Sequence, residues 1–215
     1  MLASSPLPQT VLDNIDIFKS FQLSEHYILK SLLGCLSTAI DLEGSKRFES
    51  YHDDSVASKS TLLFIHHPAS KTVPDEAKLG HYSHTDSGSL TLLFTEQPEL
   101  QVLSPESNKW QWVASKAGYA IVNVGDTLRF QSGRRFRSSV HRVLPPSGEM
   151  VGDRYSTPYF LRAGDRTVFK DIDGKEKTAE EWHARKFKSF DQSWEEQRVD
   201  HVATGGMDVD LGTIV

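Results

Sequence analysis

His84 and Asp86 stand two residues apart, and on an extended segment such residues point to one face. An imidazole nitrogen and a carboxylate oxygen held side by side can grip one metal ion. By itself His-x-Asp is a short pattern that turns also produce. A second histidine raises its weight. His141 lies in Ser138-Ser139-Val140-His141-Arg142-Val143-Leu144, which alternates as a strand does. Two imidazoles and one carboxylate from neighbouring strands form a facial set with open coordination positions. Non-haem Fe(II) needs that opening to hold a cosubstrate and O2 together, although zinc would accept the same ligands. The third element is Arg154-Tyr155-Ser156. Arg154 and Ser156 share a face, and a guanidinium with a hydroxyl is a receptor for a carboxylate. Pro145-Pro146-Ser147-Gly148 reads as a turn, and a hairpin there would lay Arg154 and Ser156 beside the strand of His141.

The elements that must position these groups are short strands. Thr61–Ile65, Leu90–Phe94, Leu100–Leu103, Trp110–Val113, Ala120–Val124, Thr127–Phe130, Ser138–Leu144 and Ser156–Leu161 recur at near-regular spacing between Gly-Asp, Ser-Gly and Pro-Pro punctuation. That rhythm predicts an all-β barrel or a double-sheet sandwich. Gly125-Asp126 reads as a tight turn within it. Before it, Val11–Leu42 carries Phe18, Phe21, Leu29, Leu32, Leu33, Leu36 and Ile40 at helical spacing, as one packing helix or a pair. Glu43–Ser60 is polar and loop-like, with room for one helical turn. After the strands, Thr178-Ala179-Glu180-Glu181 has the form of a capping box, so a C-terminal helix starts at Thr178. Trp182 and Phe187 are expected to pack that helix on the barrel, and the tail from Asp200 to fray.

The chain has 215 residues, 38% hydrophobic and 25% charged, with a net charge of −5. We expect one domain over 1–215 with its core at about 60–165. No stripe of Lys and Arg marks a nucleic-acid surface, and no apolar run approaches a membrane span. The start, Met1-Leu2-Ala3-Ser4-Ser5-Pro6, has neither the basic nor the apolar part of a signal peptide. The one cysteine, Cys35, excludes an intrachain disulfide and a Cys-based metal cluster; it suits a reducing compartment, and a cytoplasmic location is expected.

Together these blocks resemble the 2-oxoglutarate- and Fe(II)-dependent dioxygenases, in the isopenicillin-N-synthase-like branch. The resemblance is carried by His81-Tyr82-Ser83-His84-Thr85-Asp86-Ser87-Gly88-Ser89-Leu90-Thr91-Leu92-Leu93-Phe94, by Leu100-Gln101-Val102, by Trp110, by Val122-Asn123-Val124-Gly125-Asp126, by Phe136–Val143 around His141, and by Arg154-Tyr155-Ser156. It implies a mainly β fold, a double-stranded β-helix or jelly roll with flanking N- and C-terminal helices. It implies Fe(II) on His84, Asp86 and His141. It implies 2-oxoglutarate with its distal carboxylate on Arg154 and Ser156, and O2 as oxidant. The family's reaction releases succinate and CO2 while a small organic substrate is hydroxylated, desaturated or cyclised, as in specialised metabolism.

Two departures stand out. Family members have a longer N-terminal region than the stretch preceding this core, and a homodimer is one way to cover the barrel mouth. His67 stands where the family has a tyrosine that hydrogen-bonds the cosubstrate, and is the candidate to replace it; Ile65 stands where many plant-type members have asparagine. His66, His67 and His81 are read as structural or surface residues rather than metal ligands, and Arg142 as pointing away from His141. A 2-oxoglutarate-independent oxidase of the isopenicillin N synthase kind, or a non-catalytic binding or assembly protein on the same fold, are the alternatives.

Overall fold

The alternation Leu90-Thr91-Leu92 and Tyr159-Phe160-Leu161 puts apolar side chains on one face of two strands, and that face needs a cover. The N-terminal helix supplies it. The computed structural model describes residues 7–69, 83–144 and 152–207. In it a short α1 (Gln9–Asp13) leads into α2 (Ile15–Ala39), whose stripe Glu25, Leu29, Leu33 and Ser37, spaced four apart, is buried. Leu29 and Leu33 pack on Leu90, Leu92, Tyr159 and Leu161, with Phe48 and Leu128 completing the cluster. Phe48 comes from the region expected as a loop, which forms two 3-10 turns, Gly44–Lys46 and Phe48–Tyr51.

The strands are β1 (Thr61–Leu62), β2 (Ile65–His67), β3 (Leu90–Thr95), β4 (Leu100–Leu103), β5 (Trp110–Trp112) and β6 (Ile121–Val124). They continue with β7 (His141–Val143), β8 (Arg154–Leu161), β9 (Val168–Lys170) and β10 (Glu176–Thr178). One sheet runs β1-β8-β3-β6, with β2 also on β8; a second runs β5-β4-β7. Every pairing is antiparallel. This strand-rich, two-sheet arrangement is the expected jelly roll. The β9–β10 hairpin is an addition; its turn is closed by Gly174 N on the Asp171 carbonyl, and Gly174 follows with φ +72°.

Local expectations also change. Thr127–Phe130 is not a strand and Gly125-Asp126 not a simple turn: Asp126–Gln131 is a helix, α3. Leu128 enters the α2 cluster, while Phe130 enters a second one with Phe169 and Trp182. A helix buried on nearly all sides shows no amphipathic period, so its apolar residues read as strand alternation. The hairpin expected to set β8 beside β7 does not describe their pairing, since the two strands belong to different sheets. Its turn, Pro145–Gly148, lies outside the described residues. Last, the tail after Asp200 is not frayed through Gly206: Val202, Ala203 and Thr204 are buried.

The C-terminal helix, α4 (Ala179–Phe190), begins at the expected capping box, with Glu181 N donating to Thr178 Oγ1 and Thr178 N donating to Glu181 Oε2. Trp182 is fully buried and meets Phe130 edge-on at 5.1 Å. Phe187 departs from expectation: it is 48% exposed and rests on His183 and Phe190.

His52 ties the 3-10 region to the sheet, with Nδ1 on the Phe48 carbonyl and Nε2 on Ser89 Oγ. Burial pushes the His52 imidazole down to about 4 from 6.5. Between those values the unfolded chain binds a proton that the folded one refuses, so His52 lowers stability as pH falls from about 6.5 toward 4. Burial pushes Glu25 up to about 7, which works in the opposite sense. The His52 contribution is therefore read as a difference. In urea unfolding at pH 4.5 and pH 7, His52→Gln is expected to lose less stability on acidification than the parent; equal losses would contradict a buried, neutral imidazole.

Candidate metal centre

The two histidines meet as an isolated antiparallel bridge. His84 N donates to the His141 carbonyl at 3.0 Å and His141 N to the His84 carbonyl at 2.9 Å. Directly opposed residues put their side chains on one face, and the rings lie 4.4 Å apart between centroids. Asp86 turns its Oδ1 between them, 3.9 Å from His84 Nε2 and 3.7 Å from His141 Nε2. One ligand atom from each of the three lies within 4.8 Å of the others. Two atoms bound to one ion at about 2.1 Å are at most about 4.2 Å apart, so the Asp86–histidine spacings suit a shared ion.

The hydrogen bonds around the three leave the right atoms to the metal. His141 Nδ1 lies 3.0 Å from the Ser139 carbonyl. A carbonyl only accepts, so Nδ1 carries the hydrogen and the lone pair sits on Nε2. Asp86 Oδ2 accepts from Thr91 Oγ1 at 2.6 Å and from Asn123 Nδ2 at 2.8 Å. Thr91 and Asn123 are ladder partners on β3 and β6, so the sheet aims both at one oxygen and leaves Oδ1 to the imidazoles. Burial alone would raise the Asp86 carboxyl. The His141 and His84 rings and the bonds from Asn123 and Thr91 outweigh it and hold Asp86 at about 2. A donor set of two imidazoles and a carboxylate, with mixed N and O hardness, fits Fe(II).

The loop carrying Asp86 is clamped by the start of α3. Gly125 N, Asp126 N and Thr127 N donate to the carbonyls of Ser89, Asp86 and Gly88. A Cβ at Gly125 would sit 2.3 Å from the Gly88 carbonyl oxygen, so only glycine allows this approach. Behind the loop, Lys186 of α4 is fully buried and donates to Asp126 Oδ2 at 2.8 Å and Thr85 Oγ1 at 2.7 Å. The tail closes the same layer: Thr85 N donates to the Ala203 carbonyl and the Arg129 guanidinium to the Gly205 carbonyl. Gly205 has φ +64°, and a Cβ there would lie 2.2 Å from Asp126 Oδ1. On the other side of the triad, Phe190 meets the His84 ring edge-on at 5.4 Å.

Arg154 and Ser156 lie on β8, both buried, with Arg154 Nη1 donating to Ser156 Oγ at 3.2 Å. Their ladder partners are His67 and Ile65 on β2, so His67 shares the Arg154 face. His66 faces away, stacked on Tyr155 and bonded to Asp153. Phe160, ladder partner of Thr91, lies on the Arg154 face of β8 as well. Arg142 points away from His141 as expected, bonded to Gln101 and lying over Trp110. His81 lies outside the described residues.

The geometry thus brings His84, Asp86 and His141 together and sets Arg154, Ser156 and His67 on one face of the facing sheet. The sequence reading missed Thr91, Asn123, Lys186 and Asp126 as supports. Thr91, Asn123 and Asp126 lie in segments that carry the family resemblance, but nothing local says what their side chains reach.

The family model described as 2OG-Fe(II) oxygenase superfamily matches residues 59–163. The 2-oxoglutarate-dependent dioxygenase iboH of Amanita muscaria is 45% identical over 206 residues, which cover 94% of this chain and 98% of iboH. The chain belongs to the 2OG-Fe(II) oxygenase superfamily. Within it, 2-oxoglutarate-dependent dioxygenase FG08081 of Gibberella zeae is 46% identical over 95% of this chain and 61% of its own length. For gloE of Glarea lozoyensis the identity is 44%, over 94% of this chain and 60% of the relative. This oxygenase-family chain therefore spans about three fifths of FG08081 and gloE and nearly all of iboH. Among solved structures, a 2OG-Fe(II) oxygenase family protein from Caulobacter crescentus aligns with TM-score 0.70 at 22% identity, covering 87% of this chain and 63% of that one. JOX2 in complex with 2OG, Fe and JA aligns with TM-score 0.67 at 20% identity, over 85% and 54%. At these identities the likeness establishes the jelly roll. Among the described residues no helix is long and apolar enough to cross a membrane.

Proposed function

We propose that this chain is an Fe(II)- and 2-oxoglutarate-dependent oxygenase acting on a small organic substrate of specialised metabolism. The observation that carries the reading is the convergence of His84, Asp86 and His141, with Asp86 Oδ1 turned to both imidazoles. Membership of the superfamily and the 2-oxoglutarate-dependent relatives support it.

In this reading His84, Asp86 and His141 hold the iron, which when bound supplies the site for O2 and for the 2-oxo acid end of the cosubstrate. The remaining work belongs to the protein. Thr91 and Asn123 keep Asp86 Oδ2 occupied, so the carboxylate offers the metal one oxygen. The Ser139 carbonyl keeps the His141 tautomer that presents Nε2. Arg154 and Ser156 take the distal carboxylate, Arg154 through its forked donors. His67, on the same face, offers an imidazole to the cosubstrate in place of tyrosine. Phe190, edge-on to the His84 ring, shields the metal end from water. A single exposed thiol, Cys35, agrees with a reducing compartment, and we place the protein in the cytoplasm on that ground.

The test is an anaerobic visible spectrum of the protein with Fe(II) and 2-oxoglutarate. A weak metal-to-ligand charge-transfer band is expected, absent in His84→Ala and in Arg154→Ala. Iron binding without the band would turn the assignment to a 2-oxoglutarate-independent oxidase. No iron binding would leave the fold without this chemistry.

A further inference from the structure

Arg154 already has an anion beside it. Glu99, the residue before β4, is buried, and its Oε2 lies 2.6 Å from Arg154 Nε. The contact falls off the Nε–H direction, so Arg154 Nε has no hydrogen-bond acceptor among the described residues. The pair is thus a charge contact without the in-line fork that makes arginine–carboxylate bridges strong. The Glu99 backbone is tied down, its carbonyl accepting from Leu144 N at 2.8 Å and its N–H donating to the Gln97 carbonyl. Any relief must come from its side chain.

Both groups sit in a desolvated place. Burial raises the Glu99 carboxyl and Arg154 only partly offsets it; burial lowers the Arg154 guanidinium and Glu99 pushes back. A second carboxylate arriving at this guanidinium finds the positive charge already neutralised and a like charge at close range. We infer that Glu99 is a built-in competitor for Arg154, weakening the hold of the site on the distal carboxylate of a dicarboxylic 2-oxo acid. It makes the chain responsive to high cosubstrate rather than saturated at low levels. A residue that merely oriented Arg154 would accept the Nε–H in line, which Glu99 does not. The inference rests on the oxygenase reading above, in which Arg154 receives the cosubstrate.

Calorimetric titration of the Mn(II)-loaded chain separates the two. The ligands are 2-oxoglutarate and 2-oxobutyrate, which lacks the distal carboxylate. Glu99→Gln keeps the side-chain size and removes the charge. It is expected to bind 2-oxoglutarate about tenfold tighter than the parent, with 2-oxobutyrate unchanged. Glu99→Ala, a second neutral variant, is expected to show the same selective gain. Unchanged or weaker 2-oxoglutarate binding in folded variants overturns the inference, as does an equal gain for both ligands. A parent that holds Mn(II) and binds neither 2-oxo acid overturns the cosubstrate assignment itself, a different result from the first.

Discussion

Asp86→Asn is expected to lower Fe(II) affinity by more than about a hundredfold and to remove turnover, while the chain stays folded. An isosteric amide has one acceptor where the carboxylate has two. Asp86 Oδ2 is bound by two donors, Thr91 and Asn123, so the amide oxygen of the variant must face them. Its NH2 then points between the two imidazoles, where Oδ1 stood 3.7 and 3.9 Å from their Nε2 atoms. That group cannot bind a metal, and the site has also lost its only negative charge from the triad. Thr91→Val removes one support and leaves the carboxylate, so it is expected to cost about 10–100-fold. Iron affinity by competition with a chelator, together with circular dichroism for fold, checks both. If Asp86→Asn binds iron as well as Thr91→Val does, Asp86 is not a ligand.

Lys186→Met is expected to be the most destabilising single change outside the hydrophobic clusters, by about 3–5 kcal/mol. Lys186 and Asp126 are both fully buried, 2.8 Å apart. Burial pulls the Lys186 amine below its usual range and Asp126 pushes it back. Without the amine, Asp126 is left as a buried charge, and its Oδ1 has no partner among the described residues even now. Lys186→Met/Asp126→Asn removes that stranded charge and is expected to recover much of the loss, since a buried pair costs most when broken on one side. Urea unfolding of the parent and the two variants decides it. A loss below about 1 kcal/mol would place the pair with exposed bridges. Because Lys186 also holds Thr85, between His84 and Asp86, the single variant is expected to lose iron affinity along with stability.

The residues of the candidate site were legible in the sequence because the signals that single them out are local. His84 with Asp86 and Arg154 with Ser156 follow the period of two, and the Thr178 capping box closes within one helical turn. The order of the matching segments carried the resemblance, and with it the jelly roll and the candidate triad of His84, Asp86 and His141. Misread elements share a cause: α3 carries Leu128 and Phe130, two positions apart, into different clusters, and only packing distinguishes that from a strand. The tail's Ala203-Thr204-Gly205-Gly206 looked like an end because small residues also fit close against a neighbour, here Asp126 and Thr85.

What the sequence by itself determined is therefore the inventory: which residues can ligate, which can receive a carboxylate, and the alternation that puts them on shared faces. Only the tertiary structure decided who stands beside whom. Asn123 joining Thr91 on one oxygen of Asp86, Lys186 on Asp126, and Glu99 against Arg154 bring together residues far apart in the chain. Strand pairing sets the first of those meetings and the packing of helices and sheets the other two, while burial sets their strength, since a charge contact trivial in water governs affinity and stability once solvent is excluded.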